Sequence, residues 1–283
     1  MKILVFGQTG QVATELQAQA EVIALGREAA DLTDRAACAV AIRSHRPDAV
    51  INAAAYTAVD RAEEEEAQAT VINGRAPGAM ARECATLGIP FIHISTDYVF
   101  PGTGTGARPW GPADPVGPIS AYGRSKLLGE RAVAEAGGHW AVLRTSWVFS
   151  AHGSNFLKTM LRLSETRDAL NIVEDQIGGP TPADAIAAAC LTMARAMGRD
   201  AAKGGIHHFS GAPDTSWKGF AEEIFARAGR RVAVTGIATS AYPTPAQRPL
   251  NSRMDCTALK RDFGIERPDW RAGLDRALAA LDA

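Results

Sequence analysis

The N-terminal stretch reads Ile3-Leu4-Val5-Phe6-Gly7-Gln8-Thr9-Gly10-Gln11-Val12-Ala13, and the architecture expected for the rest of the chain follows from it. Residues 3–6 are an uninterrupted apolar run, which predicts a strand buried on both faces. Gly7 and Gly10 interrupt the run before a helical pattern begins at Val12. This order is typical of a dinucleotide site, where Gly7 permits the tight turn and Gly10 admits a pyrophosphate to the helix N-terminus. A plain strand–turn–helix connection is the alternative interpretation.

The ends of the next two predicted strands, 21–25 and 49–52, bear on how the cofactor binds. An acidic residue after the first of them would bind the adenosine ribose and repel a 2′-phosphate, but the chain continues Gly26-Arg27-Glu28. Arg27 is a suitable bidentate partner for a phosphate, so we predict NADPH, with NADH as the alternative. A solvated surface arginine would look the same in the sequence. The small side chains of Ala53-Ala54-Ala55 would let the cofactor lie across the other strand end.

Strands and helices alternate along the first half of the chain. Besides 3–6, strands are predicted at 21–25, 49–52, 90–95 and 140–144, with intervening helices at 34–45, 61–68, 76–87 and 120–136. This alternation predicts right-handed crossovers and a doubly wound parallel α/β sheet of the Rossmann type.

Beyond Trp147 the alternation becomes irregular. Helices are predicted at 156–163, 184–197 and 217–228, and strands at 171–173 and 206–210, whereas the proline-rich segment 242–250 should hold no regular structure. We therefore predict a nucleotide-binding domain over 1–150, with returning segments from about 171–210. A smaller, interleaved α/β domain over 151–283 would bind the substrate.

The composition argues against several classes of function. A net charge of −1 over 283 residues gives no electrostatic reason to expect binding to nucleic acid or an anionic membrane. No apolar run approaches the length of a membrane span, and the N-terminus lacks the features of a signal peptide. The four cysteines are scattered with no CxxC pair, which disfavours a zinc site or a disulfide framework and suits the cytoplasm. We expect a cytoplasmic protein with a small-molecule substrate.

A tyrosine and a lysine stand one helical turn apart in Ala121-Tyr122-Gly123-Arg124-Ser125-Lys126. An ammonium near a phenol favours the phenolate and lowers its pKa, so Tyr122 could give a proton to a carbonyl oxygen as hydride reaches the carbon. Lys126 could also hold the nicotinamide ribose. Thr96 ends the fourth predicted strand, where it could donate a hydrogen bond to the same oxygen. An ordinary surface pair and a strand-end cap are the alternatives.

Other polar residues suggest structural roles. The run Glu63-Glu64-Glu65-Glu66 is predicted to be a solvated helix face. His207 and His208 lie in an apolar strand, where we expect at least one of them to be buried and hydrogen-bonded. No metal site is predicted.

Six motifs, in order and over almost the whole chain, resemble the extended short-chain dehydrogenase/reductase family. They are the glycine-rich stretch 7–12, the stretch 46–60, Ser95-Thr96-Asp97-Tyr98-Val99-Phe100-Pro101-Gly102, Tyr122-Gly123-Arg124-Ser125-Lys126, Leu143-Arg144-Thr145-Ser146-Trp147-Val148-Phe149 and Arg248-Pro249-Leu250-Asn251-Ser252. Each motif is moderately specific, and the ordered set is very specific.

Within that family the chain is similar to the members that complete dTDP-rhamnose synthesis. The resemblance implies that NADPH or NADH reduces the C4 ketone of dTDP-4-dehydro-β-L-rhamnose to dTDP-β-L-rhamnose. It implies a catalytic set of Thr96, Tyr122 and Lys126. It also implies a cofactor set of Gly10, Gln11, Val12, Asp31, Leu32, Ala55, Tyr56 and Thr57. The implied sugar-nucleotide contacts are Thr96, Asp97, Tyr98, Trp147, Arg248 and Asn251.

The resemblance leaves the metal and the assembly open. Some relatives bind Mg²⁺ through glutamates at a dimer contact. Glu15 and Asp184 fit two such positions, but Ala280 stands near a third. A homodimer and bound Mg²⁺ are therefore open expectations.

Two alternative functions remain. One is another nucleotide-sugar reductase, epimerase or dehydratase of the same family. Dehydratases carry Asp-Glu after the catalytic threonine, whereas here Tyr98 follows Asp97. The other is a non-catalytic, NADP-binding regulatory subunit, against which the complete set of Thr96, Tyr122 and Lys126 argues.

Overall fold

Parallel strands and crossover helices make up most of the fold. The computed structural model describes residues 1–103 and 108–282. The strands are β1 (Ile3–Phe6), β2 (Val22–Leu25), β3 (Ala49–Asn52), β4 (Phe91–Thr96), β5 (Trp140–Thr145), β6 (Val148–Phe149), β7 (Ala169–Val173), β8 (Ile177–Gly178), β9 (Thr181–Pro182), β10 (Gly205–His208), β11 (Thr215–Ser216), β12 (Ala233–Ile237) and β13 (Asn251–Ser252). The helices are α1 (Gln11–Gln19), α2 (Arg35–His45), α3 (Glu66–Thr70), α4 (Ala76–Leu87), α5 (Ala121–Glu135), α6 (Phe156–Ser164), α7 (Ala183–Met197), α8 (Trp217–Arg227), α9 (Thr257–Phe263) and α10 (Trp270–Leu281). A π-helical turn, Val71–Arg75, joins α3 to α4.

The main sheet has the strand order β10-β5-β4-β3-β1-β2, and all its neighbours pair in parallel. The winding direction reverses at β1, because β2 lies on one side of it and β3 on the other. Open α/β sheets bind ligands outside the carboxyl ends of their strands at such a switch point. The topology confirms the predicted doubly wound, Rossmann-type sheet, and it puts the expected crevice at the ends of β1 and β3.

The first strand shows why both faces of this sheet are covered. Successive side chains of a strand point to opposite faces. Ile3 and Val5 pack into the apolar cluster that contains α1 and α7, and Leu4 and Phe6 pack into the cluster that contains α2 and α4. An uninterrupted apolar run is therefore what this position requires.

Residues beyond β5 build a smaller α/β region. β7 pairs in parallel with β12, β8 pairs with both β11 and β13, and β6 pairs with β9. The apolar core of this region combines Phe149, Leu157, Phe220 and Trp270, which come from β6, α6, α8 and α10.

Part of this later sequence lies against the main sheet. α7 packs on α1, and β10 pairs with β5. The segment at about 171–210 is predicted to return to the main sheet. Its first strand, β7, instead pairs with β12 in the smaller region. Its Ala169 and Asn171 are exposed, which suits a small surface sheet, whereas the inner strands of a parallel sheet are buried on both faces.

Candidate active site

A cavity of about 1100 Å³ opens at the carboxyl ends of β1, β3, β4 and β5. This volume slightly exceeds the usual range for one drug-sized ligand, about 300–1,000 Å³. Its wall includes every residue predicted to contact the cofactor: Gly7, Gly10, Gln11, Val12, Arg27, Asp31, Leu32, Ala53, Ala54, Ala55, Tyr56, Thr57, Tyr122 and Lys126. Thr96, Asp97, Tyr98 and Trp147 line the same cavity.

The glycine-rich turn forms a cradle at the start of α1. Gly7 has a φ of 114°, and a Cβ there would lie 3.3 Å from backbone atoms of Ala53 and Ala54. A Cβ on Gly10 would meet nothing within 4 Å, so the space in front of the helix is open. No side chain in the described residues caps α1. Free N–H groups and the positive end of the helix dipole therefore face this space, as an anionic pyrophosphate requires.

The far end of the cradle carries Arg27 and Asp31, both on the cavity wall. Hydrogen bonds from Thr33 chiefly hold the pKa of Asp31 below its usual value, and the charge of Arg27 adds to this effect. The position directly after β2 is Gly26, where a Cβ would lie 2.5 Å from Oε1 at the flexible end of the Gln8 side chain. An exposed guanidinium beside this turn suits a 2′-phosphate.

Close packing of α5 against the chain after β4 brings Tyr122 to Thr96. Gly123 makes this possible, because a Cβ there would lie 2.3 Å from the Tyr98 carbonyl oxygen. The Thr96 hydroxyl donates to Asp97 Oδ1 at 3.0 Å and accepts from the Tyr98 N–H at 3.3 Å. The hydroxyls of Thr96 and Tyr122 thus share one wall of the cavity.

The electrostatics of Tyr122 differ from the sequence-based expectation. Burial raises the pKa of the phenol, hydrogen bonding with Thr96 opposes the rise, and the charge of Asp97 adds to it. The net shift is therefore upward, opposite to the predicted direction, and Lys126 Nζ donates to the carbonyl of Ile94 at 2.7 Å. A raised pKa keeps Tyr122 protonated at neutral pH, which is the state that a proton donor needs.

Lys126 is itself buried, with a relative exposure of 2%. Burial lowers its pKa to about 8, and the Glu130 carboxylate one turn further along α5 opposes that shift. The ammonium therefore approaches its titration range near physiological pH.

Two buried polar atoms on the cavity wall have no hydrogen-bond partner in the described structure: Asp97 Oδ2 and Thr145 Oγ1. Burial raises the pKa of Asp97 to about 6. Thr145 pairs with Thr96 in the parallel register of β5 and β4, so both side chains stand on the same face. Unpaired buried polar atoms are costly, which suits a wall that binds a polar ligand.

Trp147 follows β5 in a left-handed conformation, with a φ of 49°, which is rare for a bulky residue. Its ring stacks on Trp217 with centroids 3.7 Å apart and planes 12° apart. Gly178 leaves room for the ring, because a Cβ there would lie 2.8 Å from Trp147 Cε2. The smaller region thus holds this indole against the cavity.

Arg248 and Asn251 lie outside the cavity wall. Arg248 pairs with both carboxylate oxygens of Asp60, at 2.9 and 2.7 Å, and so ties the smaller region to the segment after β3. Asn251 is buried and donates to the Arg108 carbonyl at 3.1 Å. The cavity wall therefore does not include these two predicted contacts, although Arg248 is close enough for its charge to act on Tyr98.

Sequence reasoning missed Asn73, which lies in the π-helical turn. Its side chain accepts from the Tyr56 N–H at 2.8 Å, donates to the Tyr56 carbonyl at 2.9 Å and donates to Ser125 Oγ at 3.0 Å. Ser125 Oγ donates in turn to the Tyr122 carbonyl at 2.7 Å. This chain of bonds fixes the segment at Tyr56 relative to α5. A π-turn often marks a functional site, but nothing in the local pattern revealed it.

The acidic run Glu63-Glu64-Glu65-Glu66 also supports the site, so its prediction as a solvated face is wrong for two members. Glu63 Oε1 accepts from the Ala121 N–H at the start of α5, at 2.8 Å. Glu65 Oε2 accepts from the Tyr56 hydroxyl at 2.7 Å. The run begins in a 3-10 turn, which directs its carboxylates to different neighbours.

Neither a metal-binding cluster nor a membrane-spanning helix is found within the described ranges. They contain no group of three His, Cys, Asp or Glu side chains placed to hold a metal ion. Glu15 lies 3.3 Å from His152, and Asp184 pairs with Arg276 at 2.8 Å. The same ranges contain no helix with the length and apolar character to cross a membrane.

Known proteins resemble the chain from end to end. The model of one family, described as the RmlD substrate binding domain, matches residues 1–283. A dTDP-4-dehydrorhamnose reductase of Sinorhizobium fredii is 47% identical over 291 residues, which cover 99% of this chain and 98% of the relative. The crystal structure of such a reductase from Clostridium acetobutylicum has a TM-score of 0.93 and 35% identity, with 100% of both chains covered. That of the Bacillus anthracis enzyme, in complex with NADP, has a TM-score of 0.90 and 31% identity, covering 99% of this chain and 100% of the other.

Proposed function

The chain belongs to the family of the RmlD substrate binding domain, and we propose that it reduces dTDP-4-dehydro-β-L-rhamnose at the C4 ketone to dTDP-β-L-rhamnose with NADPH. The reported relatives are dTDP-4-dehydrorhamnose reductases that align over almost their whole length. The observation that carries the proposal is one cavity whose wall holds Thr96, Tyr122 and Lys126 beside the glycine-rich turn.

NADPH would occupy the half of the cavity next to β1 and β2, and NADH is the weaker alternative. When bound, it supplies the hydride. The α1 N-terminus and Gly10 would hold the pyrophosphate, Arg27 the 2′-phosphate, and Lys126 the nicotinamide ribose. A relative solved with NADP supports this assignment.

Side chains of the protein would then supply the proton that the reduction requires. Tyr122, kept protonated by burial, gives its proton to the C4 oxygen, which it and Thr96 hold by hydrogen bonds. The Lys126 ammonium favours the resulting phenolate electrostatically. Tyr98 packs edge-on against the Tyr122 ring, with centroids 5.5 Å apart.

The sugar nucleotide would bind on the side of Asp97, Tyr98 and Trp147, between residues 1–150 and the smaller region within 151–283. The indole of Trp147 suits the apolar face of a deoxysugar. The charge of Arg248 acts on Tyr98 in this wall. Asn251 is the first residue of β13, and its side chain donates to the Arg108 carbonyl. The four cysteines are free, which supports a cytoplasmic location.

The decisive experiment follows reduced-nicotinamide absorbance with purified protein, NADPH and dTDP-4-dehydro-β-L-rhamnose generated in place by an epimerase. Stoichiometric loss of absorbance with dTDP-β-L-rhamnose as product is expected, and the Tyr122→Phe variant serves as the inactive control. NADPH binding without turnover would favour the regulatory-subunit alternative. Turnover only with another nucleotide sugar would reassign the substrate.

A further inference from the structure

His93 lies on β4 directly behind the catalytic helix, and it is fully buried. Its Nε2 is 3.3 Å from Lys126 Nζ, and its Nδ1 is 3.1 Å from Nδ2 of Asn52. The ring therefore connects the end of β3 to the amine that lines the cavity.

The hydrogen bonds determine which ring nitrogen of His93 carries the proton. The Ala54 N–H donates to Asn52 Oδ1 at 3.2 Å, which fixes the amide and turns Nδ2, a donor, toward His93 Nδ1. Nδ1 must therefore accept. Burial and the charge of Lys126 hold the pKa of His93 well below its usual value, so the ring is neutral and has one proton. That proton is on Nε2, facing Lys126.

We propose that His93 is a positioning residue for the reaction: its Nε2–H, oriented by Asn52, faces Lys126 Nζ and so lowers the pH at which Lys126 loses the ammonium form that acts on Tyr122. An ammonium has three donors and no acceptor, so it cannot accept from Nε2–H. A neutral amine accepts that N–H with its lone pair, while one of its own N–H groups donates to the Ile94 carbonyl at 2.7 Å. The second N–H remains for the cavity.

The other charged and titratable groups around Lys126 do not mask the effect of the His93 hydrogen bond on its protonation. On its own helix, Tyr122 is protonated, and the Glu130 carboxylate is already bound by Arg144 at 2.6 Å and by Ser95 at 2.6 Å. Asn52 on β3 is neutral, and Asp97 after β4 hydrogen-bonds with Thr96. Burial lowers the pKa of Lys126 to about 8, and hydrogen bonding to the neutral form acts in the same direction.

This inference rests on the proposed function, because Lys126 acts there on Tyr122 and the cofactor. The first test compares the pH dependence of kcat/KM in the wild type, His93→Phe and His93→Gln. Phe keeps the ring packing on Phe91 but removes the N–H, and Gln can present a carbonyl to the ammonium. We expect the alkaline limb of both variants to move up, by on the order of one pH unit.

His207→Gln is the matched control, since His207 is also a buried histidine of the main sheet but lies outside the cavity wall. Its alkaline limb should stay with the wild type. If the His93 variants lose turnover or thermal stability while the limb stays fixed, His93 is only a packing residue and the inference fails. A wild type with no reductase activity would instead defeat the proposed function.

A second test does not depend on activity. In protein labelled with ¹⁵N-histidine, the His93 resonances are identified by their loss in His93→Gln, and their nitrogen shifts report the tautomer. The neutral Nε2–H tautomer is expected from pH 6 to pH 9, roughly the range around the ordinary histidine pKa and above it. An Nδ1–H tautomer or a charged ring would overturn the inference.

Discussion

At the scale of single residues, Tyr122 has the properties of a proton donor because burial and the charge of Asp97 raise its pKa, and the opposing hydrogen bond with Thr96 does not cancel this rise. Replacing it with Phe removes the hydroxyl group and keeps the ring. We expect Tyr122→Phe to lower kcat by about 10²–10⁴-fold while NADPH affinity is retained. Absorbance assays and fluorescence titration measure the two quantities, and turnover near that of the wild type would disprove the role. Tyr242→Phe, at an exposed tyrosine, should change neither.

Arg27 tests cofactor choice at the same scale. A charge-assisted hydrogen bond to a phosphate contributes about 1.5–3 kcal/mol, so Arg27→Ala should weaken NADPH binding about tenfold or more. NADH lacks the 2′-phosphate and should bind almost unchanged. Titration of both cofactors provides the comparison, with Arg35→Ala as a control at an arginine outside the cavity wall. Equal losses for both cofactors would show that Arg27 does not recognise the 2′-phosphate.

At the scale of elements, a buried ion pair joins α5 to β5. Arg144 and Glu130 bond at 2.6 and 2.9 Å, and both side chains are only 2% exposed. Glu130→Gln would leave the guanidinium buried and uncompensated, so we expect the free energy of unfolding to fall by about 3–5 kcal/mol. Chemical denaturation measures the change. The double variant Glu130→Leu/Arg144→Met, which removes both charges, should recover most of it, and a double variant as unstable as the single one would contradict this account.

The elements that sequence patterns predicted share one property: they are long or strongly apolar. β1 and α5 are examples, because burial on two faces or along one helical stripe leaves a clear period. The two-residue strands β6 and β9 are too short to show a period, and β12 alternates only partly buried residues. α9 and α10 follow the proline-rich segment, and their bounds were not predicted from the sequence. Their positions depend on packing against distant elements.

At the scale of the whole molecule, the site residues fall into those that the sequence could identify and those that it could not. The glycine-rich turn, Thr96, Tyr122 and Lys126 could be named from the sequence because each belongs to a motif that is contiguous in the chain. His93 and Trp217 could not be named, since each acts through a partner that is distant in sequence and close only in the folded chain. Arg248 stays a predicted ligand contact, and its pairing with Asp60 is a feature of the fold that its motif did not predict.

The free energy of unfolding of the whole chain should depend on pH because of the buried Asp97 carboxylate. Its pKa is about 6 in the fold and 3.8 as the ordinary value, so between these limits the folded state binds more protons than the unfolded state. Stability therefore falls as pH rises through this window, and the loss persists above it. Asp97→Asn has no such charge. At neutral pH we expect the free energy of unfolding of this variant to exceed that of the wild type by about 1–3 kcal/mol. Its activity should fall, because a proposed substrate contact is lost.

Denaturation across pH separates this effect from a general packing change. The advantage of Asp97→Asn should shrink as pH falls below about 6 and disappear below 3.8, where both states of the wild type are protonated. Asp114→Asn provides a control of opposite sign, because the partly exposed Asp114 has its pKa lowered to about 2, chiefly by Arg108. That variant should lose stability at neutral pH. A stability difference for Asp97→Asn that stays constant with pH would mean that the charge of the buried carboxylate is not its cause. The unpaired Asp97 Oδ2 would then carry no charge penalty in the folded protein.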